Sequence, residues 1–169
     1  TLNPLAENTG ASFSEGNLKV VSQQDAITAS LAVNSGKWYA EATMGSITNV
    51  YIGIFGADGI NPNMGGNWTS VGAIAYKQNG DQYSLPKGGS SSTTSYGASF
   101  TSGDVIGIAL DLDSSPKTIT FYKNGSTQGA TANAPTHIGT NQYTFGFYAG
   151  NSGATGTATF NFGQKNFAY

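Results

Sequence analysis

The sequence predicts an all-β protein, an antiparallel sandwich or barrel. Apolar residues recur with a period of two in several separate segments, as they do in strands that bury one face. Polar turn signals rich in Asn, Ser and Gly separate these segments at short intervals. No segment carries a convincing helical period. Many short strands joined by polar turns favour sheets packed on each other over a helical fold.

The alternating segments define the predicted strands and their buried faces. In residues 37–44, for example, Trp38, Ala40 and Ala42 share one face and Tyr39 belongs to the other. The segments are 37–44, 50–55, 104–113, 117–123, 143–149 and 157–162. The residues expected in the core are Trp38, Ile52, Ile54, Ile106, Ile108, Leu110, Phe121, Phe145, Phe147 and Phe160.

Three connections between the predicted strands have sequences that predict their structure or role. Asn124-Gly125 follows a strand and tolerates positive φ at both positions, which predicts a two-residue type I′ hairpin turn. Residues 56–70 form a Gly/Asn/Pro-rich segment that is too long for a simple hairpin, and such loops are often functional. Residues 85–99 are of low complexity, and we expect 88–95 to be a solvated connection.

The charge composition excludes several kinds of partner. Only 9% of the 169 residues are charged, and the net charge is −2. All seven cations are lysines, so the bidentate grip of arginine on phosphate or guanine is absent, and nucleic acid is not an expected partner. No cysteine is present, and no apolar run is long enough to insert into a membrane. The first residue is not methionine, which suggests a processed chain or a segment of a longer one.

Five motifs in fixed order resemble a SPRY domain of the kind found in bacteriophage tail and virion proteins. They are "GKWYAEATM", "YIGIF", "GAIAYKQNGDQYS", "GDVIGIALDLDSSPKTITFYKNG" and "TFGFYAG" with "TATFNFGQKNF". The resemblance covers residues 36–167, and residues 1–35 look like the lead-in of phage and bacterial SPRY-like modules. It implies one domain over 1–169, a two-sheet antiparallel sandwich of the concanavalin A-like class, and a non-catalytic interaction module.

The resemblance also implies a ligand-binding face made by loops at one end of the sandwich. By position, this face draws on residues 22–26, 56–67, Tyr76 and 150–153. The side chains expected to contact a ligand are Asp58, Asn61, Asn63, Met64, Asn67, Trp68, Tyr76, Asn151 and Ser152. Aromatic rings and amides suit both a sugar and an uncharged protein surface. Tyr76 could equally be a packing residue of its strand.

Catalytic and metal-binding alternatives have little support in the sequence. His137 is the only histidine, and no cysteine can complete a zinc site with it. Asp111 and Asp113 could form an acid/base pair, but "LDLDSSP" is also where a strand leaves the core and turns. Asp58 and its neighbouring asparagines lack the spacing of a calcium loop. We therefore expect no catalytic residue, no metal and no cofactor.

These observations rank three functions. The first is a non-catalytic binding module of a phage tail fibre, receptor-binding or capsid-decoration protein, located on the virion or alternatively at a bacterial cell surface. Its partner would be a host-surface glycan or protein, or a neighbouring virion subunit. The second is a purely structural assembly domain that forms a homo-oligomer. The third is a glycoside hydrolase, for which only Glu41, Asp111 and Asp113 lie on or beside strong strands.

Overall fold

The computed structural model describes residues 1–6, 10–24, 26–57, 71–132, 138–150 and 153–169. Within these ranges the chain forms thirteen β-strands and one 3₁₀ turn at Pro4–Ala6. The strands are β1 (Ala11–Ser14), β2 (Lys19–Gln23), β3 (Ala26–Thr28), β4 (Lys37–Ile47), β5 (Val50–Gly56), β6 (Ala73–Lys77), β7 (Asp81–Leu85), β8 (Ser92–Ser95), β9 (Val105–Asp111), β10 (Thr118–Lys123), β11 (Ser126–Ala132), β12 (Tyr143–Ala149) and β13 (Thr155–Asn161).

The strands pair antiparallel in two sheets. The seven-stranded sheet has the order β1-β2-β13-β4-β9-β10-β11, and the six-stranded sheet has the order β3-β12-β5-β6-β7-β8. The lead-in contributes to both, because β1 and β2 extend the first sheet and β3 pairs with β12 in the second. No helix in the described ranges is long and apolar enough to span a membrane. The predicted all-β two-sheet fold is confirmed.

The main apolar core lies between the facing sides of the two sheets. Nine of the ten predicted core residues belong to it, among them Ile52, Ile108 and Phe147, each of which is fully buried. Trp38 is the exception, with 38% of its surface exposed. The alternation places Trp38 on the inner face correctly. It is the second residue of β4, however, and lies at the rim of the core where the sheets no longer cover it.

A second apolar cluster covers the outer face of the six-stranded sheet. Its members are Ala26, Tyr51, Phe55, Val71, Ala73, Ala75, Leu85 and Tyr148. As a result every residue of β5 and of β12 is buried. The alternation predicted strands with one face in the core and did not reveal that Tyr51 and Phe55, on the other face of β5, are buried as well.

The hairpin between β10 and β11 has the predicted turn. Asn124 and Gly125 both have positive φ, 48° and 78°, as a type I′ turn requires. The Asn124 amide also joins the hairpin to β9: its oxygen accepts a hydrogen bond from the Val105 amide at 2.8 Å, and its nitrogen donates to Asp104 at 2.8 Å.

The low-complexity segment differs from its prediction. Residues 92–95 form the exposed edge strand β8, which pairs with β7 between Asp81↔Ser95 and Ser84↔Ser92. Ser and Thr give no apolar alternation on a strand that is exposed on both faces, so the sequence pattern could not reveal it.

The sandwich has two ends, which we call end A and end B. End A carries the turn 48–49 between β4 and β5, the turn 78–80 between β6 and β7, and Gly150 after β12. End B carries the start of β4 at Lys37 and the end of β5 at Gly56. Since β5 has seven residues and a strand rises about 3.3 Å per residue, the ends lie roughly 20 Å apart.

Ile108→Asp is expected to unfold the protein. An unpaired buried carboxylate costs several kcal/mol, against a typical total stability of about 5–15 kcal/mol. The measurement is urea unfolding followed by circular dichroism. Thr43→Asp, at an exposed position of the same sheet, is the control and should change the unfolding free energy by less than about 1 kcal/mol. Equal midpoints for the two variants would disprove the core assignment.

Candidate functional site

Most of the predicted binding residues fall outside the described part of the chain. They are Asp58, Asn61, Asn63, Met64, Asn67, Trp68, Asn151 and Ser152. His137 also lies outside it. Their assignment to a binding face stays a prediction. The ninth residue, Tyr76, is described and can be judged from its surroundings.

Tyr76 is a core residue, and its predicted place among the ligand-contacting side chains is wrong. Its surface is fully buried, and its ring lies 5.1 Å from that of Phe100 and 5.7 Å from that of Phe121. Its hydroxyl donates a hydrogen bond to the Ala98 carbonyl and contacts the Gln128 amide oxygen at 3.3 Å. Burial raises the pKa of Tyr76 to about 12. The alternative interpretation, a packing residue of its strand, is the correct one.

The stems of the two predicted loops start at opposite ends of the sandwich. Gly56 pairs with Tyr143 at end B, where residues 57–70 leave β5. Gly150 donates a hydrogen bond to the Asn49 carbonyl at 3.0 Å at end A, where residues 151–152 follow β12. The described stems therefore do not bring these two loops together, although the resemblance implied a shared end.

End A carries an open cleft of about 450 Å³ between neighbouring turns. Its lining residues are Asn49, Lys77, Gln78, Asn79, Ser99 and Phe100. Phe100 is 2% exposed and forms the apolar floor, whereas the side chains around it are amides, a hydroxyl and one ammonium. Sequence analysis missed this site because its residues come from three turns that look like ordinary solvated connections.

Backbone hydrogen bonds join the turns of the cleft into one unit. Gln78 donates to the Val50 carbonyl at 2.9 Å, and Phe100 donates to the Gln78 carbonyl at 2.9 Å. The Asn49 side-chain nitrogen donates to the Gly150 carbonyl at 2.7 Å. Asn49 has a φ of 51°, a left-handed conformation that asparagine tolerates better than most residues. The cleft is therefore held in place before any ligand arrives.

The cleft is polar but nearly uncharged. Lys77 supplies its one charged lining group, and the ammonium lies 5.5 Å from the centre of the Tyr51 ring. The nearby carboxylate of Asp81 accepts a hydrogen bond from the Asn79 side chain at 2.7 Å. Hydrogen bonds and shape, rather than charge, are therefore what the described residues of this cleft offer.

End B carries a smaller and apolar pocket of about 110 Å³. It is lined by Thr1, Ala29, Leu31, Val33, Trp38, Tyr39, Phe145 and Phe162. Trp38 was expected inside the core, so sequence analysis gave it no part in a site. The irregular segment 29–36, which gives three of the lining residues, had no apolar period that would have revealed it.

Asp111 and Asp113 hold the turn after β9, as the structural interpretation of "LDLDSSP" predicted. Asp111 accepts hydrogen bonds from the amides of Asp113 and Ser114, each at 3.0 Å, and pairs with Lys37 at 2.9 Å. Asp113 accepts from the Gly36 amide at 2.7 Å. The hydrogen bond from Lys37 and those from the turn amides lower the pKa of Asp111 to about 2.

Glu41 fixes the C-terminal segment to the outer face of the seven-stranded sheet. The carboxylate is 3% exposed and accepts hydrogen bonds from the amides of Ala168 at 2.7 Å and Tyr169 at 3.1 Å. The Tyr39 hydroxyl donates to it at 3.1 Å, and the Tyr39 ring packs edge-on against Phe167. Each carboxylate considered for glycoside hydrolysis therefore has a role in fixing the backbone.

In the described residues no cluster of three His, Cys, Asp or Glu side chains could hold a metal.

The chain is a two-sheet antiparallel sandwich with a recess at each end, between the residues that the structure describes. The SPRY domain family model matches residues 37–165, so the chain belongs to the SPRY family, whose members are generally protein–protein interaction modules. No curated protein matches the sequence.

Solved SPRY structures share the fold over nearly the whole chain. The SPRY domain of human HERC1 is 17% identical, with a TM-score of 0.73, and the match covers 98% of this chain and 100% of that one. The PSpry domain of TRIM65 is 16% identical, with a TM-score of 0.65, and the match covers 95% and 90%. At these identities the likeness shows the common sandwich and leaves the ligand open.

The stabilisation from Asp111 should be lost in acid. Its folded pKa of about 2 lies below the ordinary value of 3.8, so the stabilisation is complete above about pH 4 and disappears as the pH falls towards 2. Urea unfolding of wild type and Asp111→Asn at several pH values should give a stability difference that shrinks over this window. Lys37→Met removes the largest cause of the lowered pKa of Asp111. In the Lys37→Met background, the loss of stability caused by Asp111→Asn at pH 6 should therefore be smaller than in the wild-type background. A difference that stays constant from pH 6 to pH 2 would contradict the assignment.

Proposed function

We propose that this chain is a non-catalytic recognition module that binds an uncharged, extended segment of a partner protein in the cleft at end A. The observation that carries the proposal is the cleft itself. It is about 450 Å³, it is lined by amides and a hydroxyl over the Phe100 floor, and its turns are joined by backbone hydrogen bonds. Preorganisation of this kind lowers the entropic cost of binding.

The chemistry of the cleft suits a peptide backbone. Asn49, Gln78 and Asn79 offer amide groups, which can both donate and accept hydrogen bonds, as the peptide groups of a partner do. The buried Phe100 ring closes the bottom of the cleft beneath them. A protein partner also agrees with the interaction role that is general in the SPRY family.

A host-surface glycan is the second candidate for the same cleft. The amides that suit a peptide can also pair with sugar hydroxyls. Both candidates therefore require an uncharged ligand, and only a direct comparison of the two ligand classes separates them.

We further propose that the module belongs to a bacteriophage virion protein, as part of a tail fibre, a receptor-binding protein or a capsid decoration. The resemblance of residues 1–35 to phage lead-in segments and the lack of cysteine support this setting. A bacterial cell surface is the alternative location, and assembly with neighbouring virion subunits is the alternative role. Mass spectrometry of purified particles tests the location, and sedimentation of the isolated chain tests self-assembly.

The cleft is tested with a displayed random peptide library and an array of bacterial surface glycans. We expect the enriched peptides to be uncharged and to lose affinity at least about tenfold on Ser99→Trp, because the indole fills the cleft. Raising the salt from about 50 to 500 mM should change their affinity by less than about threefold.

Two matched variants make this test specific. Ser92→Trp adds the same indole to the exposed edge strand β8 and should leave affinity unchanged. Leu31→Lys alters the pocket at end B and should also have no effect. Binding of glycans but not of peptides would select the second candidate. An equal loss in Ser92→Trp, or no ligand from either collection, would overturn the assignment of the cleft.

A further inference from the structure

The pocket at end B is the strongest unexplained feature of the described surface. It lies between the sheets: Phe145 on β12 belongs to one sheet, and Phe162, directly after β13, follows the other. Val33 from the preceding connection closes it on a third side. Phe145 and Val33 are each 8% exposed, so the bottom of the pocket is continuous with the main core.

Trp38 forms a fixed wall of this pocket. Its indole N–H donates to the Ser35 carbonyl at 2.7 Å. Gly36 has a φ of 90° and lies so close beneath the indole that an added Cβ would be 3.2 Å from the indole nitrogen. The Gly36 amide is in turn held by Asp113 at 2.7 Å, and its carbonyl accepts from Leu112 at 3.0 Å. Because the one polar atom of the ring is already bonded, Trp38 offers only apolar surface to a ligand.

The mouth of the pocket leaves large apolar groups in water. Leu31 is 59% exposed and Trp38 is 38% exposed, and both line the pocket. Exposed apolar residues gathered at a recess mark binding sites more often than residues scattered singly. A rigid tryptophan beside a pocket is also the typical composition of an interaction hot spot.

The charges around the pocket define the occupant. Among the described lining residues no side chain is ionised, so a charged side chain that enters between Phe145 and Phe162 would lose its water without gaining a counter-charge from any of these side chains. The adjacent Lys37 is paired with Asp111 at 2.9 Å, and the nearby Asp113 carboxylate accepts a hydrogen bond from the Gly36 amide at 2.7 Å. The electrostatic complement of this surface is therefore an uncharged apolar side chain.

The volume of the pocket limits the size of that side chain. An engineered apolar cavity of about 150 Å³ admits a benzene ring. The pocket at end B is smaller, about 110 Å³, and suits a branched aliphatic group better than an aromatic ring.

We propose that the end B pocket is a second recognition site, which holds one leucine-sized or smaller branched aliphatic side chain from an uncharged segment of a partner protein. It lies roughly 20 Å from the cleft at end A, so it is independent of the function proposed for that cleft. A partner that crosses the sandwich could use both sites, and a partner that meets only end B would use this one alone.

The experiment is an NMR titration of the full chain with N-acetyl-leucinamide. Trp38 and Trp68 are the only tryptophans, so Trp68→Phe identifies the Trp38 indole N–H signal. We expect saturable shifts of that signal and of the Leu31 and Val33 methyl signals, with a dissociation constant on the order of millimolar for so small a probe. N-acetyl-tryptophanamide, because of its size, and the α-amide of N-acetyl-aspartic acid, because of its ionised side chain, should each bind at least about fivefold more weakly.

Variants at the mouth decide whether the shifts report this pocket. Leu31→Lys should weaken N-acetyl-leucinamide at least about tenfold without unfolding the protein, since Leu31 is mostly exposed. Val21→Lys, at another exposed apolar position 40% accessible on β2, is the control and should bind the probe as wild type does. Ser99→Trp at end A should also leave binding unchanged. Shifts that do not saturate, or that persist in Leu31→Lys, would overturn the proposal.

Discussion

The constraint on which the structure depends is the packing of alternating faces between two sheets. In the seven-stranded sheet, small and large residues alternate across strands: Ala42 on β4 lies between Ile106 on β9 and Phe160 on β13. All three are fully buried. A shift of one residue in the register of β4 would turn its apolar row to the outside, so the core fixes the register and with it the position of every turn.

The chemistry of the two ends of the sandwich depends on where the apolar core stops. At end A, short antiparallel turns are joined by backbone hydrogen bonds, and amide side chains surround a single aromatic floor. At end B, Trp38 and Leu31 lie exposed at the mouth of an apolar recess. One rigid scaffold thus presents a polar surface and an apolar surface about 20 Å apart.

Four carboxylates of the described residues, Glu41, Asp104, Asp111 and Asp113, accept hydrogen bonds from backbone amides. Asp104 accepts hydrogen bonds from the Thr101 amide and the Asn124 side chain, and it pairs with Lys123. Asp111 closes the next turn in a similar way, and Glu41 holds the C-terminal segment on its sheet. A carboxylate that accepts hydrogen bonds from backbone amides at a strand end holds the adjoining turn in one position. A recognition surface built from turns needs such fixed positions.

The sequence by itself determined the all-β class, the strands of the six alternating segments and the turn at Asn124-Gly125, because period-two alternation and positive-φ residues are local signals. Only the tertiary structure decided which aromatic rings are exposed. The alternation is compatible with either a core role or a binding role for both Tyr76 and Trp38. Residues from distant strands cover Tyr76 and bury it, whereas Trp38 is not fully covered and is exposed. The cleft and the pocket were likewise invisible, since each joins side chains from segments far apart in the chain whose proximity no local pattern encodes.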